Sequence, residues 1–318
     1  MNGVLGARWF AAPLNAIGKP TSTAIQLLGD SMKSSKLKFY KRWAAGAVLA
    51  SLLAAPVAAQ QLYVFSSGSL GGFAKAAFQA GATGTVDWCP VGFYVFKHPN
   101  GNVLFDTGIN DKVIADGEGW LGPLHKGFGV KMNKDDAIPV QLAKIGLTPK
   151  DIKYVVTSHM HFDHAGNLGM FPNATHIAQE EEFKAALFPD HPFQAFYMAG
   201  DFAGMKQQNT IMLNGDLDLF SDGTFRVLKG TGHTKGSQFA VVKLPKTGSV
   251  ILTGDAVYLK ENLDKNILPP LGGATNQIEG YKTYQRIRHI RDSENAKIFF
   301  AHDPDAYKVT KQAPEFYN

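Results

Sequence analysis

The sequence is almost without cysteine. Of 318 residues only Cys89 is a cysteine, so no disulfide can form within the chain. Stability must therefore come mainly from a packed core rather than from cross-links. Because Cys89 lies between Trp88 and Pro90 in an apolar stretch, we expect it to be buried as a small hydrophobic side chain.

The body of the chain also lacks an excess of either charge. There are 32 Lys and Arg against 27 Asp and Glu, and seven of the basic residues but only one acidic residue lie in residues 1–59. The remaining residues carry 25 basic and 26 acidic side chains, a net charge of −1. A nucleic-acid interface needs a clustered basic surface, so we expect no nucleic-acid partner. Hydrophobic residues make up 45% of the chain, as in globular proteins.

The N-terminal region has an apolar run that is too short for a membrane-spanning helix, which needs ~20 residues. The run Trp43–Ala55 follows a basic stretch that starts at Lys33, and the small residues 57–59 follow it. This order is typical of a secretory signal peptide. We expect residues 1–59 to be an extension and signal peptide cleaved near Ala59, with the mature protein periplasmic or secreted and not stably inserted in a membrane. Since such a signal begins a chain, Met32 is a candidate start.

From Gln60 onward, short apolar runs alternate with turns and a few helical patterns. The pattern predicts helices over 138–145, 180–187 and 277–291, and strands over 61–66, 91–97, 103–106, 153–157, 175–178, 224–229, 238–243, 249–253 and 297–300. Two halves, each with strands and then a helix, indicate two sheets packed face to face with helices outside. We expect one domain over residues 60–318, with the aperiodic segment 189–209 as a long loop or lid.

Four potential metal ligands fall within six residues, directly after the predicted strand 153–157. They are His159, His161, Asp163 and His164. A loop that leaves a strand can direct the first two at one point and the last two at another. Imidazole nitrogen and carboxylate oxygen are ligands that suit zinc, so the segment predicts two divalent ions side by side. The alternative, an exposed histidine-rich loop, does not account for this spacing.

Four ligands do not complete two sites, and three further candidates follow other predicted strands. His233 follows strand 224–229, Asp255 follows strand 249–253, and His302 follows strand 297–300. Ligands gathered at one edge of a pair of sheets can converge on a single cleft. The remaining histidines have no companion ligand and are expected to be ordinary surface or core residues: His98, His125, His176, His191 and His289.

These segments together resemble the metallo-β-lactamase superfamily over essentially all of residues 60–318. The resemblance is carried by the His-x-His-x-Asp-His segment, by Gly232-His233, by Gly254-Asp255 and by the late His302. It implies an α+β fold, the four-layer αββα sandwich, with a cleft at the sheet edges. Asp106, in Leu104-Phe105-Asp106, matches the family's structural aspartate, which braces the metal loops rather than binding metal.

The resemblance also implies how the ligands divide between two zinc ions per chain. A first ion would be held by His159, His161 and His233, a second by Asp163, His164 and His302, and Asp255 would bridge both.

Within the superfamily, the sequence is most similar to the N-acyl-homoserine lactonases, which are quorum-quenching enzymes. Leu62-Tyr63-Val64-Phe65 resembles their opening, Tyr258 stands three residues after Asp255 as in those enzymes, and the end around His302 also matches. This implies a dinuclear zinc hydrolase that opens a lactone ring by attack of a metal-bound hydroxide. Tyr258 would donate a hydrogen bond to the substrate, and Asp163 would pass a proton to the leaving alkoxide.

Several alternatives stay open at this point. The same scaffold serves hydrolases of organophosphates or aryl esters, of thioesters and of β-lactams. Many metallo-β-lactamases use a cysteine at the second metal, whereas the only cysteine here lies far upstream. A non-catalytic metal-binding module fits a complete ligand set less well, and an iron redox enzyme would need an electron-transfer segment. The expected partner is a small lactone or ester, and a homodimer is left open.

The roles of Tyr258 and of five side chains in segment 189–209 each have two possible interpretations. Tyr258 either acts on the substrate or packs in the core after a strand. The side chains of segment 189–209 either line an acyl-chain channel or belong to the core, because pockets and cores share the same composition. These side chains are Phe193, Phe196, Tyr197, Met198 and Phe202.

The signal peptide gives a first testable prediction. N-terminal sequencing of the secreted protein should begin near Gln60, because the small residues before it form the cleavage site. Secreted material that still carries Trp43 would contradict this cleavage.

Overall fold

The apolar runs of the sequence form the strands of two facing β-sheets. The computed structural model describes residues 60–191 and 193–318, so the predicted signal peptide and its candidate start at Met32 lie outside the described residues. The strands are β1 (Gln61–Leu70), β2 (Phe73–Ala74), β3 (Thr85–Val86), β4 (Cys89–Lys97), β5 (Asn102–Phe105), β6 (Ile152–Val156), β7 (Thr175–Gln179), β8 (Asn209–Leu213), β9 (Leu217–Asp218), β10 (Phe225–Lys229), β11 (Gln238–Leu244), β12 (Gly248–Leu252) and β13 (Lys297–Phe299).

The helices lie between these strands and after the last of them. They are α1 (Gly117–Leu121), α2 (Pro123–Gly127), α3 (Ile138–Ala143), α4 (Glu180–Leu187), α5 (Ala199–Phe202), α6 (Lys260–Lys265), α7 (Gln277–Glu294) and α8 (Pro304–Val309). Within the described ranges, no helix has the length and apolar character needed to cross a membrane.

The first sheet has six strands in the order β1-β4-β5-β6-β7-β8, and the second has five in the order β13-β12-β11-β10-β9. Strands β4 and β5 form the predicted hairpin, with Tyr94 opposite Phe105. From β5 to β8 the first sheet is parallel. In the second sheet β12 and β13 are parallel, while β10, β11 and β12 alternate in direction. A short separate pair joins β2 to β3.

Three layers of apolar side chains hold these elements together. Between the sheets, Phe96 of the first sheet packs on Phe225 of the second, with ring centroids 5.7 Å apart. The other face of the first sheet packs against α3 and α4, and the other face of the second packs against α7. Because both faces of each sheet are covered, the strands read as nearly continuous apolar runs. This is the predicted αββα sandwich.

Most predicted elements are confirmed within one to four residues at their ends, and helix 180–187 has the predicted bounds. The predicted face of helix 277–291 is wrong at its start. Ile278 and Tyr281 are 71% and 45% exposed, whereas Tyr284 and Ile287 are buried as expected. Here the start of α7 lies against the loop after β10. Gly280 approaches Gly232 closely, and in the next turn Thr283 donates a hydrogen bond to Thr231 O at 2.8 Å. These contacts set which side of the helix start faces the body.

The segment expected to be a long loop is instead built from short helical turns. Its described part contains a 3₁₀ turn at Phe193–Phe196, helix α5, and a second 3₁₀ turn at Ala203–Gln207. Strand β8, which follows it, has no strong apolar alternation and was not predicted. It lies at the edge of the first sheet, where most of its side chains face solvent.

Candidate metal centre

All seven predicted ligands follow the ends of strands that point toward one edge of the two sheets. The segment His159–His164 follows β6, His233 follows β10, Asp255 follows β12, and His302 follows β13. Strands β10, β12 and β13 run in the same direction, because β11 is antiparallel to both of its neighbours. The loops that leave them therefore meet. In the structure the seven side chains form three overlapping groups whose candidate ligand atoms lie within 4.8 Å of one another.

The first group consists of His159, His161 and His233. Nε2 of His233 lies 3.0 Å from Nε2 of His159 and 3.1 Å from Nδ1 of His161. All three rings are buried, and burial lowers the pKa of each imidazole below its usual value. The neutral ring is the form that binds a metal ion.

The second group consists of Asp163, His164 and His302. Nε2 of His164 lies 3.1 Å from Nε2 of His302, and Oδ2 of Asp163 lies 3.5 Å from the same His302 atom. Asp255 stands between the two groups. Its Oδ1 is 3.2 Å from His164 Nε2 and 3.1 Å from His302 Nε2, whereas its Oδ2 is 3.4 Å from His233 Nε2. One carboxylate oxygen thus faces each group.

The outer nitrogens of four of these rings show which nitrogen of each carries hydrogen. Nδ1 of His233 lies 2.9 Å from Gly273 O, and Nδ1 of His302 lies 2.8 Å from Pro90 O. A carbonyl oxygen only accepts, so each Nδ1 carries the hydrogen. Nδ1 of His164 likewise donates to Asp106 Oδ2 at 2.9 Å. The neutral rings therefore direct the lone pair of Nε2 into the cluster.

His159 follows the same rule through Ser158. The Ser158 hydroxyl donates to Asp106 Oδ2 at 2.8 Å and so accepts from His159 Nδ1 at 3.0 Å. This leaves the lone pair of His159 Nε2 facing that of His233.

This donor set fits metal ions. Oδ1 of Asp255 is buried and makes no hydrogen bond with the described residues, although two imidazole nitrogens are within reach. Burial opposes a charge on His164, but the carboxylates of Asp255, Asp163 and Asp106 outweigh it and raise its pKa to about 10. The field of the second group therefore attracts positive charge. Protons on both His164 and His302 would place two cations about 3 Å apart, whereas a cation between them meets every lone pair.

Asp106 holds the second group from behind. It is fully buried at the end of β5 and accepts hydrogen bonds from Ser158 N at 2.6 Å, from the Ser158 hydroxyl and from His164. Its backbone has φ 64°, a left-handed conformation that costs most residues free energy but that aspartate tolerates. Burial raises the pKa of the Asp106 carboxyl, while His164 and Ser158 oppose that shift. This geometry agrees with the structural role that the sequence predicts for it.

The glycines before His233 and Asp255 allow close approaches that a side chain would block. Gly254 has φ +50°, and a Cβ there would lie 2.5 Å from Ser158 Cβ. Gly232 has φ +136°, and a Cβ there would lie 2.4 Å from the backbone of Gly280 in α7. Glycine is thus required on both counts, conformation and space. The Gly-His and Gly-Asp pairs of the sequence have this physical basis.

The cluster opens into a cleft of about 270 Å³ with an apolar wall. His161, Asp163, His233, Asp255 and His302 line its base. Its wall is formed by Leu70, Phe78, Phe128, Phe162, Phe196, Tyr258 and Leu271 among others. A larger hollow of about 490 Å³ lies elsewhere, near Ser69 and Lys131, and holds none of the seven predicted ligands. The smaller cleft is therefore the one that concerns the chemistry.

Tyr258 packs in the core and also lines the cleft. Its ring is buried and stacks on Phe78 with centroids 4.2 Å apart. Its hydroxyl lies 3.0 Å from His233 Nδ1 and donates to Gly273 O at 3.0 Å. Burial, followed by the charges of Asp255 and Asp163, raises the pKa of Tyr258 well above 10, so the group stays a neutral donor.

The aromatic residues of segment 189–209 divide between the two readings. Phe196 lines the cleft, and its carbonyl accepts from Phe162 N at 3.0 Å. Tyr197 and Phe202 are buried in the core of the first sheet, and the Tyr197 ring meets His161 edge-on at 4.9 Å. Met198 packs partly buried beside the cleft residues. Phe193 is half-buried and is not part of the cleft wall.

Several contributors to the site were not predicted from the sequence. Ser158, Phe78 and the carbonyl groups of Pro90 and Gly273 orient ligands or line the cleft. Ser158 stands directly before the first histidine, which is a signal that would have found it. The carbonyl groups leave no trace in residue type. None of the five remaining histidines belongs to a candidate metal group among the described residues.

The comparisons with known proteins agree with this geometry. The sequence profile of the metallo-β-lactamase superfamily matches residues 86–302. The chain therefore belongs to the metallo-β-lactamase superfamily, and it is a hydrolase.

The similar relatives within that superfamily are lactonases. N-acyl homoserine lactonase AttM of Azorhizobium caulinodans is 34% identical over 264 residues, which are 81% of this chain and 98% of the relative. The protein of the same name from Rhizobium radiobacter is 36% identical over 72% of this chain and 87% of its own length. A solved N-acyl homoserine lactone hydrolase, with N-hexanoyl-L-homoserine at its catalytic metal centre, has a TM-score of 0.71. It shares 27% identity, covering 81% of this chain and 99% of that structure.

The role of Asp106 can be tested by changing it to asparagine. Asp106→Asn keeps the shape but loses the negative charge that orients His164, so metal affinity should fall about 10- to 100-fold. Competition with a chromophoric chelator measures the metal affinity. Asp222→Asn is a matched control, because Asp222 also pairs with a histidine, His98, at 3.2 Å but far from the cluster. Unchanged metal affinity in Asp106→Asn would contradict the bracing role.

Proposed function

We propose that this hydrolase opens the lactone ring of N-acyl homoserine lactones at a centre of two zinc ions. The observation that carries the proposal is one cleft that has the cluster of seven buried donors at its base, five of them lining it, beside Tyr258 and an apolar wall. A polar reacting group beside an apolar chain is the chemistry that such a cleft accommodates. The relatives named as N-acyl homoserine lactonases support the choice of bond.

We expect the donors to divide as the family resemblance implies. His159, His161 and His233 would hold a first ion, Asp163, His164 and His302 would hold a second, and Asp255 would contribute to both. Nitrogen and carboxylate donors of this kind favour zinc, and the absence of a cysteine from the set is compatible with that choice. Two zinc ions held there would supply Lewis acidity and lower the pKa of water to near neutrality.

The chain's own residues orient the substrate and carry protons. Asp163 lines the cleft at the second group, so its carboxylate can accept the proton that the attacking water loses. It can then give this proton to the alkoxide oxygen that leaves when the ring opens. The four Nδ1 hydrogen bonds keep the histidines fixed throughout. The product is a ring-opened hydroxy acid.

Tyr258 stabilises the negative charge that develops on the lactone carbonyl. Its phenol stays protonated because burial and the nearby carboxylates raise its pKa. The hydroxyl donates to Gly273 O in this structure, so donation to the substrate requires it to exchange that partner. A hydrogen-bond donor placed where negative charge develops stabilises the transition state more than the ground state.

The apolar wall receives the acyl chain and excludes water from the reacting centre. Phe128 packs on both Phe162 and Phe196, with ring centroids 6.0 Å apart in each pair. Phe78 stacks on Tyr258, and Leu271 lines the cleft with 75% of its surface exposed. Burying these surfaces against an acyl chain contributes roughly 25 cal/mol for each Å² of apolar area removed from water.

We also propose export, on the signal-peptide pattern of residues 1–59, which places the enzyme in the periplasm or outside the cell. A quorum-quenching role for an exported lactonase is part of the same proposal. Formation of a homodimer stays a prediction.

One experiment tests which class of substrate the protein hydrolyses. Purified protein with measured metal content is offered an N-acyl homoserine lactone, a chromogenic β-lactam, paraoxon and a glutathione thioester in parallel. We expect about two zinc ions per chain, as the seven donors require, and rapid turnover of the lactone alone. Protein stripped by a chelator should be inactive and should recover on adding zinc. Turnover of another substrate with the lactone untouched would overturn the proposal.

The role of Tyr258 is tested by Tyr258→Phe, which removes only the hydroxyl. Turnover of the lactone should fall about a hundredfold, which is at the lower end of the cost of losing one such donor. Metal content should stay that of the wild type. Tyr284→Phe is the matched control, because Tyr284 is also buried but belongs to α7 and lies outside the cleft wall. A loss of zinc in Tyr258→Phe would refute the assigned role.

A further inference from the structure

Glu182 is a fully buried carboxylate that lies outside the seven donors. It is the third residue of α4, a helix that begins with three glutamates. Glu180 and Glu181 are exposed and pair with Lys184, whereas Glu182 is 0% exposed and forms no ion pair with the described residues. Burying a charge without a counter-ion is costly unless hydrogen bonds replace the lost water.

Four hydrogen bonds replace the water that the Glu182 carboxylate loses on burial, and none of the four donors belongs to α4. Oε1 accepts from Met160 N at 2.8 Å and from the Tyr197 hydroxyl at 3.3 Å. Oε2 accepts from the Thr234 hydroxyl at 2.5 Å and from Gly236 N at 3.2 Å. Each donor gives a hydrogen, so the ionised carboxylate satisfies all four. Glu182 therefore does not cap α4; it joins other segments of the chain.

The segments that it joins carry the first group of metal ligands. Met160 stands between His159 and His161, and Thr234 directly follows His233. The two loops come from different sheets, one after β6 and the other after β10. Tyr197, which donates a hydrogen bond to Glu182, also contacts this group, because its ring packs on His161. One carboxylate thus ties together both loops and an aromatic ring that supports them.

The second group has a different brace. His164 is held by Asp106, and His302 is held by the Pro90 carbonyl. None of the four partners of Glu182 is next to Asp163, His164 or His302 in the chain. The carboxylate that contacts the immediate neighbours of His161 and His233 is therefore a different one from the carboxylate that holds His164.

We propose that Glu182 is a positioning residue for the first metal ion, setting the separation of His159 and His161 from His233. The inference rests on the proposed metal centre but not on the identity of the substrate. Glu182 acts through backbone and hydroxyl groups beside the ligands, so removing its carboxylate loosens the first group of ligands and leaves the second in place.

The test is the affinity of each metal ion in Glu182→Gln, measured on the whole protein by stepwise competition with a chromophoric chelator. The amide replaces an acceptor by a donor that faces the hydrogens of Met160 or Gly236. We expect the dissociation constant of one zinc ion to rise about 10- to 100-fold while that of the other stays within about threefold. Limiting chelator should leave about one zinc ion per chain, as one of the two groups is then loosened.

Thr234→Val supplies an independent variant that keeps the side-chain shape and the carboxylate. It removes one hydrogen bond, so the affinity for the same zinc ion should fall by a smaller factor, about tenfold or less. Glu181→Gln is the matched control in the same helical turn. Both of its zinc affinities should equal those of the wild type, because the Glu181 side chain pairs with Lys184 and with no residue of the candidate metal centre among the described residues. In cobalt-loaded Glu182→Gln and Thr234→Val, the visible absorption of one cobalt ion should change while that of the other stays as in the wild type.

Two results would overturn the proposal. One is a folded Glu182→Gln or Thr234→Val that binds both ions with wild-type affinity. The other is an equal loss of affinity for both ions, which would mean that Glu182 supports the fold as a whole. Neither depends on turnover: a wild-type protein that binds two ions but spares the lactone would refute the proposed function and leave the role of Glu182 intact.

Discussion

Lone pairs that face one another in a dry interior are unfavourable unless a cation lies between them, and the candidate site is built around that constraint. Four imidazoles give their Nδ1 hydrogens to fixed acceptors outside the cluster and so must present bare nitrogens within it. Asp255 adds two oxygens, one toward each group of rings. The rest of the structure supplies the acceptors and keeps water out. Removing any one acceptor would let a ring turn or change its tautomer, and the donor set would lose its common focus.

The sandwich suits this task because it delivers loops from two sheets to one edge. Each sheet is covered on both faces, so its strands are held rigidly, and only the loops beyond their ends are free to differ. Rigid strand ends alone do not fix the distance between loops of opposite sheets. Glu182 connects such loops here, because it accepts hydrogen bonds from the loop after β6 in the first sheet and from the loop after β10 in the second. Asp106 acts within the first sheet, where it joins the end of β5 to the loop after β6.

Much of this could be predicted from the sequence, because the relevant signals are local. Apolar runs mark strands whose two faces are both covered, and a ligand placed just after a strand marks the sheet edge. What escaped prediction depends on distant partners. Glu182 reads as one more solvated charge in the first turn of a helix, since its partners are 15 to 54 positions away along the chain. The first turn of α7 was misjudged because Ile278 fits the helical period, yet the contacts with Gly232 and Thr231 direct that turn away from the core.

One carbonyl group links three parts of the site. The oxygen of Gly273 accepts from both His233 Nδ1 and the Tyr258 hydroxyl, and it belongs to the Pro-Pro-Leu-Gly-Gly segment that carries the exposed Leu271 at the rim of the cleft. The rim of the cleft is therefore mechanically continuous with His233, one of the predicted metal ligands. Sequence changes in this rim should also shift the orientation of His233, so we expect their effects not to be additive with changes at the candidate metal centre. Divergence of substrate preference along this loop is thereby restricted to replacements that leave the position of one backbone oxygen unchanged.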